Sequence, residues 1–265
     1  MSWLHCFWGI GTSVSPYIMS FCLMRGMGWH KGYFSVGTVQ IVLTAILVLS
    51  LPMWKKRSGG GHDEQAESKP LTLLGALKID GIVLVLLTFF GYCALETTTG
   101  LWASSYLTSF RGIDPQVSAR FASLFYMGIT FGRFLCGFVS EKIGDKLLIR
   151  TGIITIIAGI VMVALPLETN NAALAGLIII GLGCAPVYPS IIHATPFNFG
   201  KENSQAIIGI QMACAYMGST FMPPVFGIIA RKISVALYPA YLMIFALLMI
   251  IMSERMNIYA KKAQT

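Results

Sequence analysis

Residues Gly132 to Lys146 read GRFLCGFVSEKIGDK, a short charged turn between two long apolar runs. Glu141 and Lys142 stand side by side in it, and Gly144 permits a sharp reversal of the chain. Such a turn predicts two membrane helices that are latched near the bilayer face by paired charges. The fold class indicated is an all-α polytopic membrane protein.

The composition of the whole chain also favours a membrane fold. Of the 265 residues, 55% are hydrophobic and 11% are charged, whereas a soluble domain carries about 25% charged residues. The mean hydropathy is +0.72. The net charge of +8 comes from basic residues in short loops between apolar runs, which fits the positive-inside pattern rather than a nucleic-acid surface. We therefore expect the lipid bilayer as a partner, and no nucleic acid.

Eight apolar runs are long enough to cross a bilayer, which takes about 20 helical residues. Alternate loops hold twelve and six basic residues, so the richer side, with both termini, is expected to face the cytoplasm from a plasma membrane. A polar, glycine-rich linker at 54–79 separates the spans within 1–53 from those within 80–265. The predicted spans are 3–24, 33–53, 80–106, 117–139, 148–167, 172–194, 204–229 and 233–253.

The charged turn resembles the signature loop of the major facilitator superfamily, Gly-x-x-x-Asp-Arg-x-Gly-Arg-Arg, in the copy between helices 8 and 9. Here the loop reads Gly-x-x-x-Glu-Lys-x-Gly-Asp-Lys, and a Gly-Arg pair lies just upstream. The Asp in place of the first paired Arg removes one positive charge. The resemblance implies a gating latch, and a simple topology anchor is the alternative role. The residues concerned are Arg133, Gly137, Glu141, Lys142, Gly144, Asp145 and Lys146.

Four further stretches resemble the fucose permease group of sugar permeases. The resemblance implies that the chain supplies helices 5 to 12 of a twelve-helix fold and lacks the first four. Residues 1–53 would then hold the last two helices of an N-terminal bundle, and 80–265 a complete six-helix C-terminal bundle. The stretches are LHCFWGIGTSVSPYIM from Leu4, GYCALETTTGLWASSYL from Gly91, GLGCAPVYPSIIHATP from Gly181 and AIIGIQMACAYMGSTFMPPVFG from Ala206.

Glu96 is the strongest candidate for a functional residue, because it lies well inside the third apolar run. A carboxylate there costs at least about 2.5 kcal/mol on insertion scales, so we expect it to face a cavity or a partner. It can carry a coupling proton or bind a solute. The alternative is a protonated Glu that is hydrogen-bonded within the bundle, with Thr97, Thr98 and Thr99 as neighbouring groups.

Four other side chains at membrane depth complete the predicted substrate-binding and proton-binding set. Trp102 can stack on a sugar ring, or it can lie in the interfacial aromatic belt. Tyr126, Gln211 and Tyr216 can hydrogen-bond a polar solute, or they can tie helices together. We expect no metal, no cofactor beyond a coupled proton and no enzyme activity, because the sequence holds no motif for nucleotide, metal or nucleophile chemistry.

The resemblance implies a secondary active transporter that moves a small polar solute by alternating access. A sugar is the expected solute, and protons are the expected coupling ion through Glu96. Two alternatives stay open. One is a carrier that exports drugs or metabolites, and the other is a truncated product that does not transport without its missing N-terminal half.

Overall fold

The computed structural model of the chain describes residues 11, 14, 18–19, 21–22, 25–58, 75, 77–166 and 170–262. These residues form helices and no strands, as expected in lipid, where an open backbone finds no hydrogen-bonding partner. The helices are α1 (Gly28–Ser58), α2 (Ile82–Ser109), α3 (Pro115–Ile143), α4 (Asp145–Ala164), α5 (Asn171–Phe199), α6 (Lys201–Lys232) and α7 (Tyr238–Lys262), with a 3-10 turn at Val235–Leu237 before α7.

Seven helices within the described residues are long and apolar enough to cross a membrane. They coincide with seven of the eight predicted spans, which are thereby confirmed. The span predicted at 3–24 lies largely outside the described residues. Several helices extend past the predicted bounds: α5 continues through Pro196 to Phe199, and α1 continues to Ser58. Most of the predicted linker at 54–79 lies outside the described residues.

The described residues divide into two compact units, one up to Ser58 and one from Gly75 onward. In the first unit, α1 carries a candidate span at Gly28–Met53 with a high mean hydropathy of 2.2. Its apolar side chains, such as Phe34 and Leu49, are exposed. An apolar helix surface of this kind is suited to a lipid environment.

The second unit is a bundle of six helices, α2 to α7. Helix α4 packs against α5 and α7, α3 packs against α5, and α2 contacts α3, α5, α6 and α7. Two tyrosines tie the bundle together through the backbone: Tyr238 donates to the carbonyl of Thr99 at 3.3 Å, and Tyr241 donates to that of Met222 at 2.8 Å. The largest fully buried aromatic side chains are Phe89, Tyr92, Tyr106, Phe125, Phe226 and Tyr238.

Glycines set the closest helix contacts in this bundle. A Cβ atom at Gly128 would lie 2.5 Å from the carbonyl oxygen of Ile178, and one at Gly132 would lie 2.5 Å from the Cβ of Ala185. Small residues let membrane helices approach until backbones touch, which is how such helices gain packing energy without a hydrophobic driving force. The Gly128-x-x-x-Gly132 pattern is therefore the face through which α3 meets α5.

Within the charged stretch, a single residue, Gly144, separates the end of α3 from the start of α4. Its φ angle is +79°, a conformation that residues with a Cβ rarely adopt. The single-residue turn places the first residue of α4, Asp145, directly after the last turn of α3, which holds Lys142. This arrangement fits the tight reversal predicted from the sequence.

Candidate functional site

Glu96 and Arg133 form an ion pair inside the six-helix bundle. Glu96 lies at the middle of α2, and the Nη2 atom of Arg133 on α3 approaches its Oε1 atom to 3.6 Å. The Arg133 side chain is 3% exposed and that of Glu96 is 14% exposed. Two opposite charges at membrane depth stabilise each other where either alone would be costly.

The spacing of residues along α2 and α3 explains why these two side chains meet. Tyr92, Glu96 and Gly100 are four residues apart, so they share one face of α2. Tyr126 and Arg133 are seven residues apart, so they share one face of α3. The two faces oppose each other, because a Cβ atom at Gly100 would lie 2.0 Å from the Tyr126 hydroxyl. Gly100 is thus the gap into which Tyr126 fits.

Side chains from α5 complete the surroundings of the ion pair. Cys184 and Tyr92 lie within electrostatic range of Arg133, and Tyr126 lies within that range of Glu96. The ring centroid of Tyr188 lies 6.0 Å from that of Tyr92. We call this group the central polar cluster; it consists of Tyr92, Glu96, Tyr126, Arg133, Cys184 and Tyr188.

The hydrogen-bonding capacity of the central polar cluster is incompletely used. The Oε1 atom of Glu96 and the hydroxyl of Tyr92 are buried and make no well-aligned hydrogen bond to another described residue, although the Tyr92 hydroxyl lies beside both Glu96 and Arg133. The 3.6 Å separation of Glu96 and Arg133 is longer than a hydrogen bond. Buried polar groups in this state gain free energy when a proton or a polar solute satisfies them. The cluster can therefore exchange a proton or accept a small polar group.

Thr98 and Thr99 do not supply a partner for Glu96. Thr99 donates to the backbone carbonyl of Leu95 at 2.7 Å. The Thr98 hydroxyl is buried and makes no hydrogen bond within the described part of the chain. The partner of Glu96 is instead a cation from the next helix, Arg133.

The other predicted binding residues lie in three different settings. Trp102 donates from Nε1 to the carbonyl of Pro223 on α6 at 3.0 Å, so it joins two helices. Gln211 is 0% exposed and donates to the Thr195 hydroxyl at 3.0 Å, which also joins two helices. Tyr216 is 69% exposed on α6. Among the predicted binding residues, Tyr126 belongs with Glu96 to the central polar cluster as defined above, and Tyr216 lies within electrostatic range of Tyr188 in that cluster.

The residues of the predicted latch are distributed over two places. Arg133 belongs to the central polar cluster, while Asp145 accepts a 2.7 Å contact from Nδ1 of His193 on α5. Lys142 and Lys146 are exposed on either side of Gly144, which forms the turn. Gly137 lies about two helical turns before Gly144, on α3. The side chain of Glu141 lies outside the described residues.

Several polar contacts were missed from the sequence. His193 on α5 pairs with Asp145, and no sequence motif links these two residues. Arg150 on α4 holds both carboxylate oxygens of Glu254 on α7, at 2.6 Å and 2.5 Å. Arg111 donates to the carbonyls of Val163 and Leu165 at the end of α4. An unbalanced charge near the end of an apolar run was the available signal for these contacts, but its partner could not be read from one sequence.

Comparison with known proteins identifies the family. The family model described as Major Facilitator Superfamily matches residues 1–223 and also residues 112–254. The first match covers most of the chain, and the six-helix bundle with its charged turn agrees with the resemblance noted above. The chain belongs to the major facilitator superfamily and is a multi-pass membrane protein.

Three relatives show the range of similarity. Bypass of stop codon protein 6 of Saccharomyces cerevisiae is 23% identical over 270 residues, which covers 90% of this chain and 54% of that protein. An uncharacterized MFS-type transporter of Yersinia pestis is 24% identical over 135 residues, 51% of this chain and 35% of that protein. The glucose-6-phosphate exchanger SLC37A2 of Xenopus tropicalis is 24% identical over 149 residues, 56% of this chain and 30% of that protein. The chain thus spans about half, or less, of the length of these relatives.

Proposed function

We propose that the chain acts in secondary active transport of a small polar solute, driven by protons. The observation that carries the proposal is the ion pair of Glu96 and Arg133 at the middle of two membrane-spanning helices. Ionisable residues inside membrane spans are rare, and they commonly mark ion and substrate pathways. In this superfamily the solute site lies near the bilayer midplane, where discontinuous or kinked helices meet.

In the proposed cycle, Glu96 alternates between a protonated and a charged state. The charged carboxylate is stabilised by Arg133, and protonation weakens that attraction. The bundle then rearranges to expose the solute on the other side of the membrane. Pro186 and Pro189 in α5 and Pro223 and Pro224 in α6 lie within these spans and interrupt the backbone hydrogen bonds that would stiffen them.

A sugar is the proposed solute. The resemblance to the fucose permease group supports it, as does the printed name of one relative, a glucose-6-phosphate exchanger. Tyrosine hydroxyls and ring faces in the central polar cluster suit a ring that has hydroxyls on its edge and C–H groups on its face. Export of drugs or metabolites is the competing function. Transport assays with a panel of sugars, drugs and metabolites distinguish it from sugar transport.

The test is uptake of labelled sugars by the purified full chain in liposomes with an inward proton gradient. The wild type is expected to accumulate at least one sugar. Glu96→Gln keeps the shape of the side chain but removes the titrating proton, so this variant should equilibrate the sugar without accumulating it. Glu202→Gln, an exposed glutamate in the first turn of α6, is the matched control and should accumulate as the wild type does. Absence of uptake by the wild type, or accumulation by Glu96→Gln, would contradict the proposal.

A further inference from the structure

A cavity of about 230 Å³ lies in the six-helix bundle, away from the central polar cluster. Helices α2, α4, α5 and α7 all contribute side chains to its lining. Each of these helices contacts the next one around the cavity: α4 touches α5 and α7, and α2 touches α5 and α7. We call it the four-helix cavity. Its enclosure on four sides means that a ligand enters along the helices, from their ends, rather than sideways from lipid.

The burial of the lining residues shows which end of the cavity is open. Val85, Thr88 and Ile191 are buried and form the floor. Lys146 and Phe197 are exposed and form the mouth. The mouth therefore lies at the same end of the bundle as the charged turn, the side that the distribution of basic residues assigns to the cytoplasm.

The mouth of the cavity carries one cation that has no ion-pair partner among the described residues. The carboxylate of Asp145, which also lines the cavity, is held by His193 at 2.7 Å. The neighbouring Arg150 is held by Glu254. Lys146 forms no ion pair with any residue that the structure describes. An anionic ligand at the mouth can therefore pair with the ammonium group of Lys146, which makes no ion pair within the described part of the chain.

Amide groups flank this lysine. Asn198 on α5 and Asn257 on α7 both line the cavity, and a carboxamide carries two N–H donors. The Asn257 amide also hydrogen-bonds Glu254, so part of its donor capacity is already in use. The floor is mostly apolar, with Val85, Ile191 and Met256. Anionic oxygens at the mouth and a short apolar group on the floor are the ligand chemistry that these surfaces match.

We infer that the four-helix cavity is a second binding site, which takes a small water-soluble anion with a short apolar tail. The volume is below the roughly 300–1,000 Å³ of pockets for drug-sized ligands, so the ligand is small. Its anionic group is a carboxylate or a phosphate monoester. A bound ligand contacts four helices at once, including α2, which carries Glu96, and so it resists their separation. The inference is independent of the proposed transport function.

The test uses thermal unfolding of the purified full chain in detergent, titrated with hexanoate and with hexyl phosphate below their micellar range. At least one of these anions is expected to raise the melting temperature in a saturable, salt-sensitive manner. The anion that raises the melting temperature at the lower concentration shows whether a carboxylate or a phosphate is the recognised group. Inorganic phosphate, which lacks the tail, and hexylamine, which has the opposite charge, should give no saturable increase.

Two variants assign the binding to the cavity. Lys146→Gln should weaken the anion about tenfold, as expected for loss of a hydrogen bond to a charged group, whereas Lys142→Gln, at an exposed lysine of the same turn, should leave it unchanged. Ala194→Leu, which fills the cavity, should abolish the effect while Lys146 is retained. Equal stabilisation by hexylamine, wild-type affinity in Lys146→Gln, or no stabilisation by either anion would overturn the inference. If a variant fails to fold, the comparison of the four ligands on the wild type still tests whether the chain binds a small anion with an apolar tail.

Discussion

At the scale of single residues, the central feature is a buried charge pair whose members depend on each other. Glu96 and Arg133 come from different helices and lie 3.6 Å apart in a largely apolar bundle. Removal of one member leaves the other as an isolated charge, which typically costs about 3–5 kcal/mol. Removal of both costs less, since no uncompensated charge remains. The pair is thus a coupled unit, and its members cannot be interpreted separately.

Arg133→Gln is expected to lower the free energy of unfolding in mixed micelles by about 3–5 kcal/mol. The double variant Glu96→Gln with Arg133→Gln should lose less than Arg133→Gln alone, because the buried carboxylate is gone. Arg231→Gln, at an exposed arginine at the end of α6, is the control and should stay within about 0.5 kcal/mol of the wild type. If the changes in the free energy of unfolding caused by the two single substitutions simply add up in the double variant, the two side chains do not interact.

Gln211 is expected to stabilise helix packing rather than bind the solute. Its amide bonds the Thr195 hydroxyl at 3.0 Å, and both groups are buried. Interhelical hydrogen bonds in membranes contribute about 0.6 kcal/mol on average. Gln211→Leu should therefore cost about that much free energy of unfolding and leave solute affinity unchanged. A tenfold or larger loss of affinity in equilibrium binding would place Gln211 in the solute site instead.

At the scale of helices, glycine contacts fix how closely α4 and α5 pack. A Cβ atom at Gly183 would lie 2.6 Å from the carbonyl oxygen of Gly152, a backbone atom that cannot turn aside. Gly183→Ala is expected to separate the two helices and to lower the free energy of unfolding by about 1–3 kcal/mol, the usual cost of overpacking. Gly209→Ala in α6 has nothing within 4 Å of the new atom, and it should be neutral or slightly stabilising. Equal effects of the two variants, measured by thermal unfolding, would contradict this packing account.

The helices themselves could be predicted well from the sequence, and their contacts could not. Hydropathy alone places α2 to α7, because a membrane span needs a continuous apolar run of fixed length. It does not give the rotation of one helix against another. Glu96 was recognised as needing a partner, but Arg133 was assigned to the cytoplasmic latch, because it lies near the end of its apolar run. The helix actually continues to Ile143, which leaves Arg133 inside the bundle.

The same limit applies to the aromatic and polar candidates. Nothing in one sequence distinguishes Trp102, which bonds the Pro223 carbonyl, from a ring that faces a solute. Tyr126 differs because Gly100 leaves a gap opposite it, and such a gap becomes visible only when α2 and α3 are paired. The roles of Trp102 and Tyr126 in binding remain predictions.

At the scale of the whole molecule, the charge distribution predicts the orientation in the membrane. Lys142 at the charged turn is expected on the cytoplasmic side, and Lys232 at the end of α6 on the opposite side. Both side chains are exposed. In a cysteine-free background, Lys142→Cys in intact cells should resist a membrane-impermeant thiol reagent, and Lys232→Cys should react. The reverse pattern of labelling would invert the proposed topology and move the mouth of the four-helix cavity to the outer side.

The most direct test of the central claim is solute-driven proton movement through the Glu96–Arg133 pair. The purified full chain is placed in liposomes that contain a pH-sensitive dye, with no imposed gradient, and the transported sugar is added outside. We predict acidification of the lumen for the wild type, none for Glu96→Gln although sugar still exchanges, and an unchanged signal for Glu202→Gln. Sugar-dependent acidification that persists in Glu96→Gln would show that protons take another route, and the pair would then have only a structural role.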